Sequence, residues 1–252
     1  MPNPMTSKLE LLENFRVVLC QTSHPGNIGS AARAMKTMGL QHLYLVQPKK
    51  FPHAEATALA AGAADVLERA HVFESLEEAL SGCALAIGLS ARKRQLSHRL
   101  VDVREAAQEA LHTAATQPVA LVFGTEMSGL SNAELDLCQL LAMIPADPDF
   151  SSLNLAAAVQ VMSYEIRMAV LDGRMALDPR DEPLATSEDM EMLYRHMEET
   201  LVQIGFLNPA APGRLMQRLR RLYARARPEK EEVNILRGIL RHTTEPQPPK
   251  GA

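Results

Sequence analysis

Four short segments hold residue types that could bind a ligand or move a group, and each follows an apolar run. His24-Pro-Gly-Asn27-Ile-Gly29-Ser30-Ala-Ala-Arg33 joins a strand pattern to a helical one. Asn27 is a good N-cap type, Gly29 permits close backbone approach, and Arg33 falls one turn into the helix. Read alone, the segment is an ordinary strand–loop–helix joint with a surface arginine. Gly88-Leu89-Ser90-Ala91-Arg92-Lys93-Arg94 ends another apolar run in three consecutive cations. They are either a solvated loop or a phosphate contact beside a pocket. Leu121-Val-Phe-Gly124-Thr-Glu126-Met-Ser-Gly129-Leu130 puts two glycines and one acid after a third run. It is neither GxGxxG nor a P-loop with its lysine, which argues against a nicotinamide or P-loop nucleotide site. Its plain reading is a turn with Glu126 solvated. Ile144-Pro-Ala-Asp-Pro-Asp-Phe-Ser151-Ser152-Leu153-Asn154 leads a fourth run through prolines to a helix start. Such a loop can turn backbone N–H and C=O groups toward a purine edge, or it is simply a well-capped helix.

The elements that must position these loops are legible as apolar runs. Strands are expected at Phe15–Cys20, His42–Val46, Val72–Phe73, Ala84–Leu89, Val119–Gly124 and Leu140–Ile144. They are continuous rather than alternating, as suits strands covered on both faces. Helical patterns fall between them at Ile28–Met38, Ala54–Gly62, Leu76–Leu80, Val103–Ala114 and Ala133–Cys138. Ser75 with Glu78, Ser131 with Glu134 and Thr186 with Asp189 read as capping boxes. The alternation predicts an α/β fold, a mostly parallel sheet wrapped by helices. All four loops then sit at strand carboxyl ends, where open α/β sheets bind ligands. After Ser152 the helical pattern is apolar on two sides. Leu155, Val159, Met162, Ile166 and Ala169 form one stripe; Ala157, Val161, Tyr164 and Met168 form another. One stripe can face the sheet and the other a second subunit.

Composition narrows the class. The 252 residues are 46% hydrophobic and 22% charged, which excludes wholesale disorder. No apolar run reaches the roughly 18 residues of a membrane span, and the first residues lack a signal-peptide core. Cys20, Cys83 and Cys138 are scattered, without CxxC or zinc spacing. A reduced, cytoplasmic protein with no metal is expected. Trp is absent and aromatics are 4%, which argues against an aromatic platform for single-stranded bases.

Charge is segregated. Residues 1–172 carry 13 Lys and Arg against 18 Asp and Glu, a balance of −5; residues 173–252 carry 13 against 12, a balance of +1. Asp178 to Glu199 holds eight acids and two bases, whereas Arg214 to Arg227 holds six arginines and no acid. Residues 173–185, with Asp-Gly, Asp-Pro and Pro183, read as a linker. Three helical patterns follow at about 186–205, 213–226 and 230–241, making a small domain over 186–242, and 243–252 reads as a disordered tail. Arg214, Arg218, Arg221 and Arg225 recur at 4-3-4 spacing on one helix stripe. Leu215, Leu219, Leu222 and Ala226 form the adjacent stripe expected to anchor that helix. The arginines are either a phosphate-binding face or partners for the acids of helix 186–205.

Taken in order, Asn27-x-Gly29-x-x-x-Arg33, Phe-Gly124-x-Glu126-x-x-Gly129-Leu130 and Ile144-Pro145…Ser152-Leu153-Asn154 resemble the three motifs of the SPOUT class of S-adenosylmethionine-dependent RNA methyltransferases. The strings HPGNIGSAARAMKTMGL, LAAGAADV and SSLNLAAAVQVMSYE resemble one branch of it, which methylates the ribose 2′-hydroxyl of a cytidine or uridine at nucleotide 32 of the tRNA anticodon loop. The resemblance covers residues 14–171. It implies a Rossmann-like sheet whose C-terminal part is tied in a trefoil knot, which the general absence of threading would not have suggested. It also implies a homodimer with tRNA as partner and a helical C-terminal extension. Related enzymes acting on another tRNA position or on rRNA, and a non-catalytic RNA-binding module, are the alternatives.

The resemblance also assigns residues. S-adenosylmethionine contacts fall on Leu89, Ser90, Ala91, Gly124, Glu126, Gly129, Ile144, Ser151, Ser152 and Leu153, mostly through backbone groups. The catalytic position is Arg33. A guanidinium stays protonated, so its role here is read as gripping the phosphate beside the target ribose, not as a base. Ser152 and Asn154 are candidates for orienting the ribose. Asn27, Arg92, Lys93, Arg94, Arg214, Arg218, Arg221 and Arg225 are the candidate RNA contacts.

Overall fold

In the computed structural model, residues 8–91, 99–172 and 183–244 are described. Arg92, Lys93 and Arg94, most of the expected linker and most of the expected tail lie outside them. A 3₁₀ turn at Glu10–Asn14 leads into β1 (Phe15–Cys20), α1 (Pro25–Met38), β2 (His42–Val46), α2 (Ala54–Ala60), α3 (Ala64–Glu68), β3 (His71–Phe73) and α4 (Leu76–Ala79). Then come β4 (Leu85–Leu89), β5 (Leu100–Asp102), α5 (Val103–Ala114), β6 (Val119–Phe123), α6 (Asn132–Asp136), β7 (Leu140–Met143) and α7 (Leu155–Asp172). The C-terminal helices are α8 (Ser187–Gln203), α9 (Leu215–Ala226) and α10 (Lys230–Thr244).

The seven strands form one sheet in the order β3-β2-β1-β6-β4-β7-β5, with every neighbouring pair parallel. Every residue of β4 and β6 is buried, because apolar layers cover both faces of the sheet. On one face β1 and β2 side chains pack with α1, α2, α5 and α7; on the other, Val18, Cys20, Ala86 and Val122 pack with α4 and α6. β7 pairs with both β4 and β5, so it lies between two strands that precede it in the chain.

Several boundaries differ from expectation for identifiable reasons. Helix 54–62 stops at Ala60, because Ala61 and Gly62 take positive φ of 41° and 91° and the chain restarts as α3. β5 is three residues at the sheet edge, too short to show a pattern. Asn27 is not the N-cap. Pro25 occupies the first turn, His24 holds the cap position, and Asn27 sits inside the helix with its amide free for other work. Ser131 with Glu134 and Thr186 with Asp189 are complete capping boxes. At Ser75 only half forms, since Glu78 Oε2 accepts from the amide of Glu74 instead. Thr243 and Thr244, expected in the tail, end α10 with their hydroxyls on the carbonyls of Ile239 and Arg241.

On α7 the first stripe, from Leu155 to Ala169, is buried; the second leaves Tyr164 at 47% and Met168 at 40% exposure. The three cysteines are free and buried, and burial pushes the Cys83 and Cys138 thiols up, to about 11 and about 12. Among the described residues no three His, Cys, Asp or Glu side chains are grouped to hold a metal. No described helix is long and apolar enough to cross a membrane.

α8, α9 and α10 pack around their own core, which includes Leu193, Tyr194, Met197 and Val233. They are clasped to the sheet domain by polar contacts. Gln117 exchanges two hydrogen bonds with the backbone of Leu184 at 2.8 and 3.0 Å, and Ser187 donates twice to the carbonyl of Cys83. Arg227 donates to Glu109 and to Thr113 at 2.8 and 2.7 Å. Leu184 and Ala185, read as linker, are therefore buried parts of this seam.

Candidate functional site

Three of the four chemistry-bearing loops meet in a cleft of about 310 Å³ at the carboxyl ends of β4, β6 and β7. Leu89, Ser90 and Ala91 form one wall, residues 123–130 a second, and Ile144 with residues 149–153 the third. Every candidate cofactor residue therefore lines one cavity. What these walls offer is space and backbone groups. The Ser90 amide donates to the Ala142 carbonyl at 3.0 Å, which fixes the first wall to β7. Thr125 and Gly129 exchange backbone hydrogen bonds of 3.2 and 2.9 Å, closing a tight loop over the end of β6. A Cβ on Gly124 would lie 2.1 Å from the carbonyl carbon of Gly129 and 2.2 Å from the nitrogen of Leu130. Only glycine permits that closure, and Gly129 itself has a φ of 67°.

Glu126 is half-buried, and its carboxylate is tied to another loop. Its Oε2 accepts from the amide and hydroxyl of Ser23 at 3.2 and 2.8 Å; its Oε1 accepts from the His24 amide at 3.3 Å and the Asn27 side chain at 3.0 Å. Burial opposes its charge, but donation from Asn27 and Ser23 outweighs burial and holds its pKa at about 2. Asn154 Nδ2 donates to Asn27 Oδ1 at 3.1 Å, and its own Oδ1 accepts from the amide of Ala156. One carboxylate and two amides thus tie together the loops after β1, β6 and β7. Glu126 lines the cleft while its oxygens are engaged away from it. Asn154 is a tie and helix cap, with one amide hydrogen left over. Ser152 makes no hydrogen bond among the described residues, so its hydroxyl is available at the cleft.

Arg33 is exposed on α1, outside the cleft lining, and has no hydrogen bond or ion pair among the described residues. Gly29 does allow close approach, but of α2: a Cβ there would lie 2.0 Å from the Ala56 carbonyl oxygen. Sequence reasoning missed Ser23, whose only signal was a hydroxyl just before the Asn27 segment. It also missed Met127 and Phe150, large apolar side chains exposed at the cleft rim.

The arginine stripe on α9 divides. Arg214, Arg218 and Arg225 are exposed, with no side-chain partner among the described residues. Arg221 turns inward to Asp136 of α6 at 3.3 Å, with 15% and 10% of the two side chains exposed. It is a fastener between the domains and leaves the set of candidate RNA contacts. The acids of α8 find a different arginine. Glu191 pairs with Arg220, which also lies 4.5 Å above the Tyr194 ring. The anchoring face is accordingly Met216, Leu219 and Tyr223, while Leu222 is 49% exposed.

Known proteins share both the sequence pattern and the fold. A sequence model of the SpoU rRNA Methylase family matches residues 14–164, and one of the tRNA methyltransferase TrmJ C-terminal domain matches residues 188–251. A curated relative from Pseudomonas aeruginosa, named tRNA (cytidine/uridine/adenosine-2′-O-)-methyltransferase TrmJ, is 54% identical over 92% of this chain and 95% of its own. The crystal structure of TrmJ from Z. mobilis ZM4 superposes with a TM-score of 0.80 at 32% identity, covering 91% of this chain and 99% of that one. A more distant SpoU methyltransferase, AviRb from Streptomyces viridochromogenes, was solved in complex with the cofactor AdoMet. It matches with a TM-score of 0.53 at 26% identity, over 64% of this chain and 62% of that one.

Proposed function

The chain belongs to the SpoU methylase family and carries the TrmJ-type C-terminal domain, and on that premise we propose that it moves a methyl group from S-adenosylmethionine to the ribose 2′-oxygen of a cytidine or uridine at nucleotide 32 of tRNA. The observation that carries this reading is the glycine-closed cleft, held together by Glu126, in a chain that also has a helical domain with unpaired arginines. The cofactor would be held by Leu89, Ser90, Ala91, Gly124, Gly129, Ile144, Ser151, Ser152 and Leu153. When bound, S-adenosylmethionine supplies an electrophilic methyl carbon on a sulfonium sulfur. The chain's own task is to bring a 2′-hydroxyl into line and favour loss of its proton, chiefly by positioning and charge. Arg33 carries that role by gripping the neighbouring phosphate in bidentate fashion, with the Ser152 hydroxyl and the spare Asn154 amide hydrogen available to orient the ribose. Residues 1–172 serve cofactor binding, catalysis and dimerisation; residues 186–242 hold tRNA through Arg214, Arg218 and Arg225, and Asn27, Arg92, Lys93 and Arg94 are further RNA contacts in this reading. The site of action is the cytoplasm, where tRNA is processed.

Ribose-methylation mapping of tRNA and rRNA, with and without the protein, tests this reading. It also separates it from methylation of another tRNA position, of adenosine, or of rRNA, the substrate in the family's own description. Arg33→Ala is expected to lower turnover on the order of 100- to 1,000-fold, with S-adenosylmethionine affinity within a few-fold by calorimetry. Near-normal turnover would remove Arg33 from the mechanism.

We also propose that the protein is a homodimer, supported by the apolar stripe of Ala157, Val161, Tyr164 and Met168 on α7. Val161→Asp is then expected to yield monomers or aggregates in light scattering and to weaken cofactor binding. A wild type that is monomeric and active would refute it.

A further inference from the structure

The cleft uses half of the sheet's carboxyl edge, the ends of β4, β6 and β7. The ends of β1 and β2 lie beyond Glu126, and their loops carry a feature of their own. Gln21 and Gln47, the residues that follow these strands, take φ of 49° and 46°. This left-handed conformation is unfavourable for any residue with a side chain, and such positions concentrate at functional sites. Each amide continues the ladder by one bond, Gln21 to the Val46 carbonyl at 2.8 Å and Gln47 to the Phe73 carbonyl at 3.0 Å, before the chain turns.

The two loops are joined. The amide of Lys49 donates to the carbonyl of Thr22 at 3.0 Å, and Thr22 is buried. The next residue, Ser23, gives both its amide and its hydroxyl to Glu126. The second loop is therefore fixed, through two consecutive residues, to the carboxylate that organises the cleft. Its sequence, Gln47-Pro-Lys49-Lys50-Phe-Pro-His53, has two lysines, one histidine and no acid. Lys49 and Lys50 are exposed, and their ammonium groups have no partner among the described residues. His53 Nδ1 accepts from the Glu55 amide at 3.2 Å, which leaves the exposed Nε2 to carry the proton outward. The next acid along the chain, Glu55, points to the first turn of α1, its Oε1 2.9 Å from where a Gly26 Cβ would stand.

We propose that the β1–α1 and β2–α2 loops form a phosphate-binding face of the catalytic domain, which grips the RNA backbone on the side of the target ribose away from the cofactor cleft. The proposal rests on RNA being the substrate. Phosphates flank every ribose, and exposed unpaired lysines beside the outward N–H of a histidine are the donors such a backbone meets.

The test uses the full-length protein and an unmodified tRNA transcript, with binding measured between 50 and 300 mM salt. The Lys49→Glu, Lys50→Glu double variant is expected to bind about tenfold more weakly at low salt. The slope of log affinity against log salt should become shallower by about 0.7–0.9 for each phosphate that the variant no longer holds. Cofactor affinity and melting temperature should stay at wild-type values. If the glutamates disturb folding, Lys49→Gln with Lys50→Gln reads the same slope. An unchanged slope, while the wild type methylates tRNA, overturns the proposal; retained tRNA binding with loss of binding to an acidic peptide would reassign the face to a protein. A wild type that does not methylate tRNA overturns the functional reading itself, and this face falls with it.

Discussion

The cleft and the outer face of α9 carry their candidate chemistry by opposite means. Around the cleft the working parts are backbone groups and the absence of side chains. Gly124 is there because the Gly129 and Leu130 backbones leave no room for a Cβ, and the carboxylate of Glu126 is consumed in holding loops together. On α9 the working parts are side-chain heads, and nothing local distinguishes them. Arg218 and Arg221 share a helix, a stripe and a type, yet one stands free and the other fastens α9 to Asp136. Steric necessity leaves a motif in the chain. A charge acquires its role only from what another element places opposite it.

The contrast can be broken from either side. The largest effect is expected at Gly124→Ala. A Cβ 2.1 Å from the Gly129 carbonyl carbon forces the Thr125–Gly129 loop open, and the roughly 1–3 kcal/mol of such overpacking would lower cofactor affinity about 10- to 100-fold by calorimetry. Retained affinity would mean that the cleft does not depend on that closure. Next comes the pair on α9. Arg221→Ala removes the 3.3 Å ion pair to Asp136 and should cost about 1 kcal/mol in denaturant unfolding. Arg218→Ala should leave stability unchanged but make the tRNA salt slope shallower by about 0.7–0.9. If the two variants behave alike, the division of the stripe is wrong.

The smallest effect is expected at Glu126, and it depends on pH. Its folded pKa of about 2 lies below the ordinary value of 4.5. Its contribution to stability is therefore complete above pH 4.5 and is lost as pH falls toward about 2. The melting-temperature gap between wild type and Glu126→Gln should narrow through that window. A gap that stays constant would show that hydrogen bonding alone, without the charge, holds the loops.

What was legible in the chain follows the same division. Continuous runs such as Val119–Phe123 announce doubly covered strands, and the paired stripes of α7 announce a helix with two apolar faces. Three-residue β5 has no room for a pattern, and the break after Ala60 depends on local φ angles that composition does not express. Glu126 drew notice as a lone acid between glycines, but its partners, Ser23 and Asn27, lie about a hundred residues away. Asn27 looked like a cap because its type suits one; Pro25, two residues earlier, had already started the helix. Arg221 was not distinguishable from its neighbours, since Asp136 lies on another element.

The position of β7 has a consequence for how the protein is made. Leu140–Met143 enters between β4 and β5, both of which leave the ribosome earlier. Until then neither strand has its final neighbour on that side, and the slot between them presents unpaired amides and carbonyls. The third wall of the cleft, Ile144 and residues 149–153, is synthesised later still. A nascent chain ending before Ser151 therefore has no complete cleft, however well its first strands have paired. Filling of that cleft in newly made protein would report insertion of β7 and closure of the third wall, so a cofactor analogue without a transferable methyl group, added during translation, would act on finished molecules and ignore unfinished ones.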